Sequence, residues 1–508
     1  MADINITEQQ YSIVKQPYRE LFCKVNLLNY RFQVVDEISG VVISDSWTIS
    51  ATSDIRRTGT LVITPDDSDA YKIQAGSKIF LDKYVQVYIG IKDNTTDEII
   101  YNNMGIYLIN NPTHSFDSTT NQISLQLVDL MAKLTGLRNG YLAGYEYQLK
   151  EGQNVKDIIV AVLAEVGFYN YNIEIKDDDY QTIQFDMSVD GTSTLYDILK
   201  TINENQYINY QMYFDVNGVF HFNRIPMSSR DPIMVDDDIW QYSYISHEVT
   251  TDYESLKNDI IVLGKTHTAT KYTSNCTLSG TTFVLTNSTI RRERNHVKIA
   301  FTTPSNMSAT NPTVQYYVNL NGYGALPLKT ALNSISFSLQ PNTYYVIKLQ
   351  KNGTNNYWQF MGEYQPRAEI KEENPQSPFY VNGSVGDIRI VLSGGEYDNI
   401  STSELALERA QWELYTRCRL LDSLSLTCIP IYWLDVNWLV SITLPTETEP
   451  KLFIVKEITT SGGVMGVQNV TLMSFYDFYD GVASPLLDNN GEYILDDNYN
   501  VIMTGRDV

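Results

Sequence analysis

Histidine and cysteine are scarce in this chain, with five His and four Cys in 508 residues. Four cysteines (Cys23, Cys276, Cys418, Cys428) cannot build a disulfide framework. None lies in a CxxC pair, so a zinc site is not expected and reduced, buried thiols are. No run approaches the ~20 apolar residues that a membrane helix needs. The opening Met1-Ala2-Asp3-Ile4-Asn5 has neither a basic patch nor an apolar stretch, which argues against a secretory signal and for folding in a cytoplasm. Motifs of common enzymes are missing too: no GxSxG elbow, HExxH helix, phosphate-binding Walker loop or GxGxxG fingerprint. Basic residues are outnumbered, 37 Lys and Arg against 60 Asp and Glu. The resulting net charge of −23 argues against general nucleic-acid binding, because phosphates repel an acidic surface.

What is present is material for packed β-structure. Hydrophobic residues make up 43% of the chain, which excludes wholesale disorder. The length suits three or four domains of ~100–200 residues. Tyrosine is abundant, with 37 copies, and suits strands and interfaces because the ring buries area while its hydroxyl stays wet. Between residues 20 and 140 the pattern is β-rich. Val85, Val87, Ile89 and Ile91 alternate along one face of a strand, and similar runs cover Cys23–Val34, Ser46–Ile49, Thr58–Ile63 and Ile106–Ile109. From Leu125 to Leu134 the spacing turns helical.

Helical stripes follow. Val155, Ile158, Ile159, Val162, Leu163 and Val166 predict a helix over 152–167 capped by Asn154. Leu195, Ile198, Leu199 and Ile202 predict a second over 195–205, with Thr194 and Asp197 as a capping pair. Asn217-Gly218 between Gln211–Phe214 and Val219–Phe222 reads as a hairpin turn. Asp259–Leu263 reads as a strand buried on both faces and closed by Gly264. The longest helix is expected over 402–421, with a capping box in Ser401–Glu404 and Leu407, Ala410, Leu414, Cys418 and Leu421 inward. Strands are then expected at Ser423–Ile429, Trp438–Thr443, Leu452–Ile458 and Gln468–Ser474.

Charge is segregated. Lys265–Lys371 carries eleven Lys and Arg against Glu293, Glu363 and Glu369, a net +8 that leaves −31 for the rest. Its richness in Ser, Thr and Asn marks a separate β module inserted between two halves of another domain, with Asn374–Pro378 as the return linker. Phe475–Val508 has seven acids and one Arg, and is expected to fray or to dock as a strand on a neighbour.

Candidate chemistry is thin. The five histidines (114, 221, 247, 267, 296) are scattered; His221 alternates with Phe220 and Phe222 and is expected to face solvent or an interface. Asp177–Asp179 and Asp236–Asp238 lack the spacing of a calcium loop and read as solvated turns. Sixty acids leave room for a catalytic carboxylate pair, but no feature selects one. The most pointed feature is the basic group Arg291, Arg292, Arg294 and Lys298. It either meets an anionic partner or pairs with acidic surface of its own assembly. No catalytic residue, cofactor or metal is expected.

Five stretches in a fixed order resemble the tail hub (baseplate hub) proteins of tailed bacteriophages, a group that includes the N-terminal part of tail-associated lysins. They are Ser46-Trp-Thr-Ile49 with Ile55-Arg-Arg-Thr-Gly-Thr-Leu-Val-Ile63; Gly105–Ile109 before Asn111-Pro112; Tyr210–Phe222; Ser255–Gly264; and Glu408–Tyr415 with Ile429-Pro430 and Leu434-Asp-Val-Asn437. Together they span about 20–264 and 385–478; the Lys265–Lys371 module is a departure. The resemblance implies a mainly β fold with α+β parts: two tail-tube-like β-barrel domains, small α/β domains and an inserted β module. Its expected divisions are 1–140 (first barrel), 141–230 (α/β), 231–264 with 386–478 (second barrel), 265–385 (module) and 479–508 (acidic tail). It further implies a non-enzymatic homotrimer at the virion tail tip, assembled in the host cytoplasm, in which six barrels ring a channel for DNA. The implied partners are the tail tube or distal tail protein, a tail fibre, spike or other tip protein, and the tape-measure protein; sequence-specific nucleic acid and a membrane span are not among them. Two alternatives compete. One is a receptor- or glycan-binding tip protein acting through the module on a cell-surface glycan. The other is a tail-associated peptidoglycan hydrolase, for whose lytic part the 30 residues after 478 leave no room.

Overall fold

A computed structural model describes residues 6–476 except 17, 39, 66–71, 177–178, 185–186, 208, 267–270, 274, 291–294, 331–333, 336, 353–354, 376, 420 and 463–465, together with the short strands Ser484–Pro485 and Met503–Thr504. The acidic tail otherwise lies outside the described residues.

The chain is mainly β. Thirteen strands form one antiparallel sheet: β1 Leu21–Leu28, β2 Val34–Ile38, β3 Gly40–Ser50, β4 Arg57–Pro65, β5 Tyr84–Lys92, β6 Ile99–Ile109, β7 Thr113–Phe116, β8 Asn121–Asp129, β9 Tyr244–Asp252, β10 Leu421–Cys428, β11 Leu439–Ile442, β12 Lys451–Ser461 and β13 Gln468–Ser474. Their order across the sheet is β9-β10-β13-β12-β3-β4-β8-β6-β5-β1-β2, with β11 added on β12 and β7 on β8. The N-terminal and C-terminal parts meet where β3 pairs with β12, from Ser46 opposite Ser461 to Ser50 opposite Glu457.

Each part curls round its own core. Alternate residues of β1, β3, β4, β5 and β8, among them Val25, Trp47, Leu61, Val87 and Leu125, converge on one cluster. Leu424, Val440, Phe453 and Leu472 converge on another. A sheet whose strands all send side chains to one cluster must wrap around it. The two expected barrels are nevertheless not closed among the described residues: the pairing path is open and ends at β9 and β2. The reason is the seam, since β3 continues the N-terminal part directly into β12. Helix α1 (Glu8–Val14) braces the seam and was not expected from the sequence. Its consecutive residues Ile13 and Val14 are buried in different cores, and Tyr11 stacks on Trp433 with ring centroids 5.3 Å apart.

Two local readings change. The run Cys23–Val34 is broken after Leu28, because the Asn29 carboxamide accepts from the Arg31 and Gln33 amides and Phe32 takes φ +60°. The helical spacing from Leu125 is strand as far as Asp129. Only Leu130–Lys133 forms a 3-10 turn, which the Asp129 carboxylate caps by accepting from Met131 N.

The rest of the chain flanks this sheet. Helices α2 (Val155–Glu165) and α3 (Leu195–Gln206) start at Asn154 and at the Thr194–Asp197 capping box. They pack with the sheet of Tyr171–Ile173, Phe220–Arg224 and Tyr210–Phe214. A short helix, α4 (Asp237–Ser243), precedes β9. Asp259–Leu263 lies between Arg367–Lys371 and Arg389–Leu392, and its Ile260 and Val262 are buried against α5 (Ser403–Arg417). That helix is shorter than expected, because Leu421 already belongs to β10. Between residues 271 and 363, eight strands form a separate sheet around Phe283, Phe301, Leu349 and Trp358. No helix among the described residues is long and apolar enough to cross a membrane.

Candidate assembly interface

The start of β4 brings two arginines, Arg56 and Arg57, into the interior, where both are less than 7% exposed. Their partners come from three other parts of the chain. Arg57 pairs with Asp435 through Nη2, donates from Nη1 to Phe214 O at 2.6 Å, and its backbone N–H donates to Asp129 Oδ2 at 2.9 Å. Arg56 reaches Asp435 Oδ1 at 3.2 Å, Gln211 Oε1 at 2.8 Å and Val436 O at 2.7 Å. Asn437, held at φ +60°, donates to the same Gln211 oxygen at 2.9 Å. The Arg56 guanidinium lies 3.8 Å from the Tyr213 ring centroid, and Tyr213 stacks with His221 at 5.1 Å.

Two arginines and two aspartates balance in charge, and each is bonded to more than one group. Such a buried network adds little net stability over an apolar core but fixes geometry, because any other arrangement strands a charge. Here it fixes the angle between the two curled parts and the 210–224 hairpin. Burial pushes the Asp129 carboxyl up to about 6, against the Arg57 amide and charge, and pushes the Tyr213 phenol up to about 12. The sequence stretches singled out at 55–63, 210–222 and 434–437 thus converge on one knot.

The outer edges of the large sheet are built differently. Among the described residues β2 pairs only with β1, and β9 only with β10. Both leave apolar side chains in solvent: Val34 is 58% exposed and Val35 51% on one edge, Ile245 48% and Val249 46% on the other. Exposed Tyr30 adjoins the first edge and Tyr242 and Tyr253 the second. Edges with no further strand among the described residues, and with exposed branched side chains, can template further strand pairing, which soluble proteins normally suppress. No local pattern in the sequence marks these two strands as edges.

Of the basic group, Arg291, Arg292 and Arg294 lie outside the described residues; Lys298 starts a strand, half-buried, directly opposite Lys348. His221 does point away from Phe220 and Phe222 but is buried rather than solvent-facing, because the hairpin folds Tyr213 and Asp215 against it; its Nε2 is 3.3 Å from Asp215 Oδ2. The aspartates at 236–238 are engaged at the start of α4, where Asp237 accepts from Thr443 N and Asp238 pairs with Lys15. Asp179 accepts from Arg224 and Tyr210; Asp177 and Asp178 lie outside the described residues. No cluster of three His, Cys, Asp or Glu suited to a metal occurs among the described residues. A small, partly open pocket of about 30 Å³ beside Glu204 and Arg409 has room for roughly one water.

A family model described only as a domain of unknown function (DUF5048) matches residues 376–479. No curated protein matches the chain. Solved structures similar to it include a 43 kDa tail protein of prophage MuSo2 from Shewanella oneidensis, at 10% identity and TM-score 0.48 over 89% of this chain and 98% of that one. A tail protein from Neisseria meningitidis is similar at 9% identity and TM-score 0.47 over 90% and 99%. Prophage tail protein gp18 from Listeria monocytogenes is similar at 7% and 0.43 over 89% and 94%. All three are tail proteins, and none of them is described as a lysin.

Proposed function

We propose that this chain is a structural tail hub of a tailed bacteriophage, acting by assembly and not by catalysis. The observation that carries the proposal is the pair of open edges on one sheet. Edge β2 of one copy and edge β9 of the next are different surfaces, so their contact is heterologous, and such contacts close into rings when the rotation returns to its start. Each copy brings two curled sheet parts held at a fixed angle by the ionic knot. Three copies then place six around a centre, adapting a sixfold tube to a threefold tip. The tube or distal tail protein would sit on one side of the ring and a fibre, spike or other tip protein, or the tape-measure terminus, on the other, within the virion. Acidic residues lining the opening would let DNA pass without sticking; unchanged DNA ejection after their reversal to lysine would count against that part.

The test is the mass of the purified full chain by sedimentation, with an end-on image. Trimers with threefold rings support the proposal. Val35→Asp together with Val249→Asp should leave monomers of unchanged melting temperature, since charge on an edge blocks strand pairing without touching a core. A wild-type chain that stays monomeric at high concentration, or a double variant that still trimerises, removes the edges from the assembly.

A further inference from the structure

Lys456 is the extra residue of a bulge in β12. Along the pairing with β13, Val455 stands opposite Leu472 and Glu457 opposite Thr471, which leaves Lys456 between the two rungs. A bulge re-aims the side chain it carries. Here the amine turns toward the segment that leads into β11. Asn437 N donates to Val455 O at 2.7 Å and Val455 N to Trp438 O at 3.1 Å, which sets the asparagine beside the lysine. Lys456 Nζ stands 3.5 Å from Asn437 Oδ1.

A surface lysine is protonated and a poor nucleophile. Lys456 is half-buried, and its charged neighbour is another cation, Arg419. Burial, with the charge of Arg419 second, brings the amine down to about 8. A share of it is therefore free amine near neutral pH. The amide is prepared as well. Asn437 is 4% exposed, and its Nδ2 donates to Gln211 Oε1 at 2.9 Å, which stops the side chain from turning. Arg56 donates to that same oxygen at 2.8 Å and to Val436 O at 2.7 Å, so a permanent cation adjoins the amide. When an amine attacks an amide, negative charge develops on the carbonyl oxygen, and a fixed cation in a dry site stabilises it. A carbonyl bond of about 1.2 Å puts Cγ at most about 4.7 Å from Nζ, and the flexible lysine stem can close the remainder.

We infer that Lys456 and Asn437 join in an intramolecular isopeptide bond. Nζ attacks Cγ, the Nζ–Cγ bond forms and the Cγ–Nδ2 bond breaks. The proton that Nζ gives up departs with Nδ2 as ammonia, so neither an oxidant nor a cofactor is needed. The product is a neutral secondary amide, which removes a cation from the interior. It ties β12, a strand of the seam, to the segment at 435–437 that holds Arg56 and Arg57. A covalent loop from 437 to 456 restricts the unfolded chain as a disulfide does. The inference rests on neither the sheet edges nor the proposed ring.

The test is the intact mass of the purified full chain in urea. After allowance for removal of Met1, wild type should weigh about 17 Da less than its sequence, one ammonia. Trypsin should leave the bond after Lys456 uncut and release a branched peptide that joins 437 to 456. Asn-Gly pairs such as Asn217-Gly218 also lose ammonia when they cyclise, so variants locate the loss. Lys456→Arg and Asn437→Gly should each show the full sequence mass, and glycine suits the φ of +60° at 437. Wild type at full sequence mass overturns the inference, whatever the variants do. So does a loss that persists in Lys456→Arg, or a digest in which residues 437 and 456 lie on separate linear peptides.

Discussion

The seam within the large sheet and the outer edges of that same sheet are made of opposite materials. At the seam, β3 and β12 exchange backbone hydrogen bonds beside an ionic knot whose four charged residues are almost fully buried. At the edges, β2 and β9 hold valine and isoleucine in solvent and, among the described residues, pair with a strand on one side only. A folded monomer in isolation would be expected to show the reverse, with charge outside and branched aliphatics inside. The contrast assigns different tasks to the two regions. Buried charge at the seam sets one angle between the halves, and exposed apolar groups at the edges await another surface.

The largest expected effect breaks the seam. Asp435→Ala leaves Arg56 and Arg57 buried without their shared carboxylate and should destabilise the fold by about 3–5 kcal/mol, measured by urea unfolding. A loss below about 1 kcal/mol would mean that water or a shifted Asp129 takes over, and that the knot does not specify the angle. Next in size is Gly59→Ala on β4. A Cβ there would lie 2.4 Å from two ring carbons of Trp47, whose indole is also held by Asp45 Oδ2 at 2.7 Å. With Trp47 2% exposed and unable to retreat, overpacking should cost about 1–3 kcal/mol in the same assay.

A subtler measurement separates burial from pairing inside the knot. The folded Asp129 carboxyl titrates near 6, above the ~3.9 of an unfolded aspartate, so the native state holds this proton more tightly. Its contribution is fully present below about pH 4 and is lost as pH rises through about 6. Asp129→Asn should therefore flatten the fall in stability across that window. If wild type and variant trace parallel curves there, Asp129 is ionised throughout and pairing with Arg57 outweighs burial.

The sequence made the local parts of this contrast readable and left the distant ones hidden. Alternation marked Val85 to Ile91 as one buried face, and side-chain caps placed the starts of α2 and α3, because periodicity and capping act over a few residues. Arg56-Arg57 and Asp435-Val-Asn437 were both picked out, but as separate motifs. Their meeting depends on a pairing across 378 residues, which no local pattern encodes. Helix α1 escaped notice because seven residues hold too few turns for a periodic signal, despite a capping box between Thr7 and Gln10. His221 was given the right face and the wrong exposure: alternation tells which side of a strand a residue occupies, not what later folds over that side. Edge β2 went unread because the run taken as one strand from Cys23 to Val34 stops at its first residue and passes over the Asn29 turn that separates it from β1.

The smallest expected effect, invisible to unfolding assays, sharpens the comparison most directly. The outward amides of β2 and β9 have no strand beyond them among the described residues, whereas those of β3 and β12 face partners on both sides. In dilute protein, hydrogen exchange should be fast along Val34–Ile38 and Tyr244–Asp252 and slow along Ser46–Ser50 and Glu457–Ser461. Raising the concentration until the chain assembles should slow β2 and β9 together and leave the seam unchanged, because strand pairing protects both members of a new edge contact at once. Slowing of one edge alone would indicate a different partner surface for that strand. Continued fast exchange at both edges in the assembled particle would shift the interface elsewhere, and the β7–β8 hairpin, where Phe116 is 76% exposed, is the apolar surface that would then be tested.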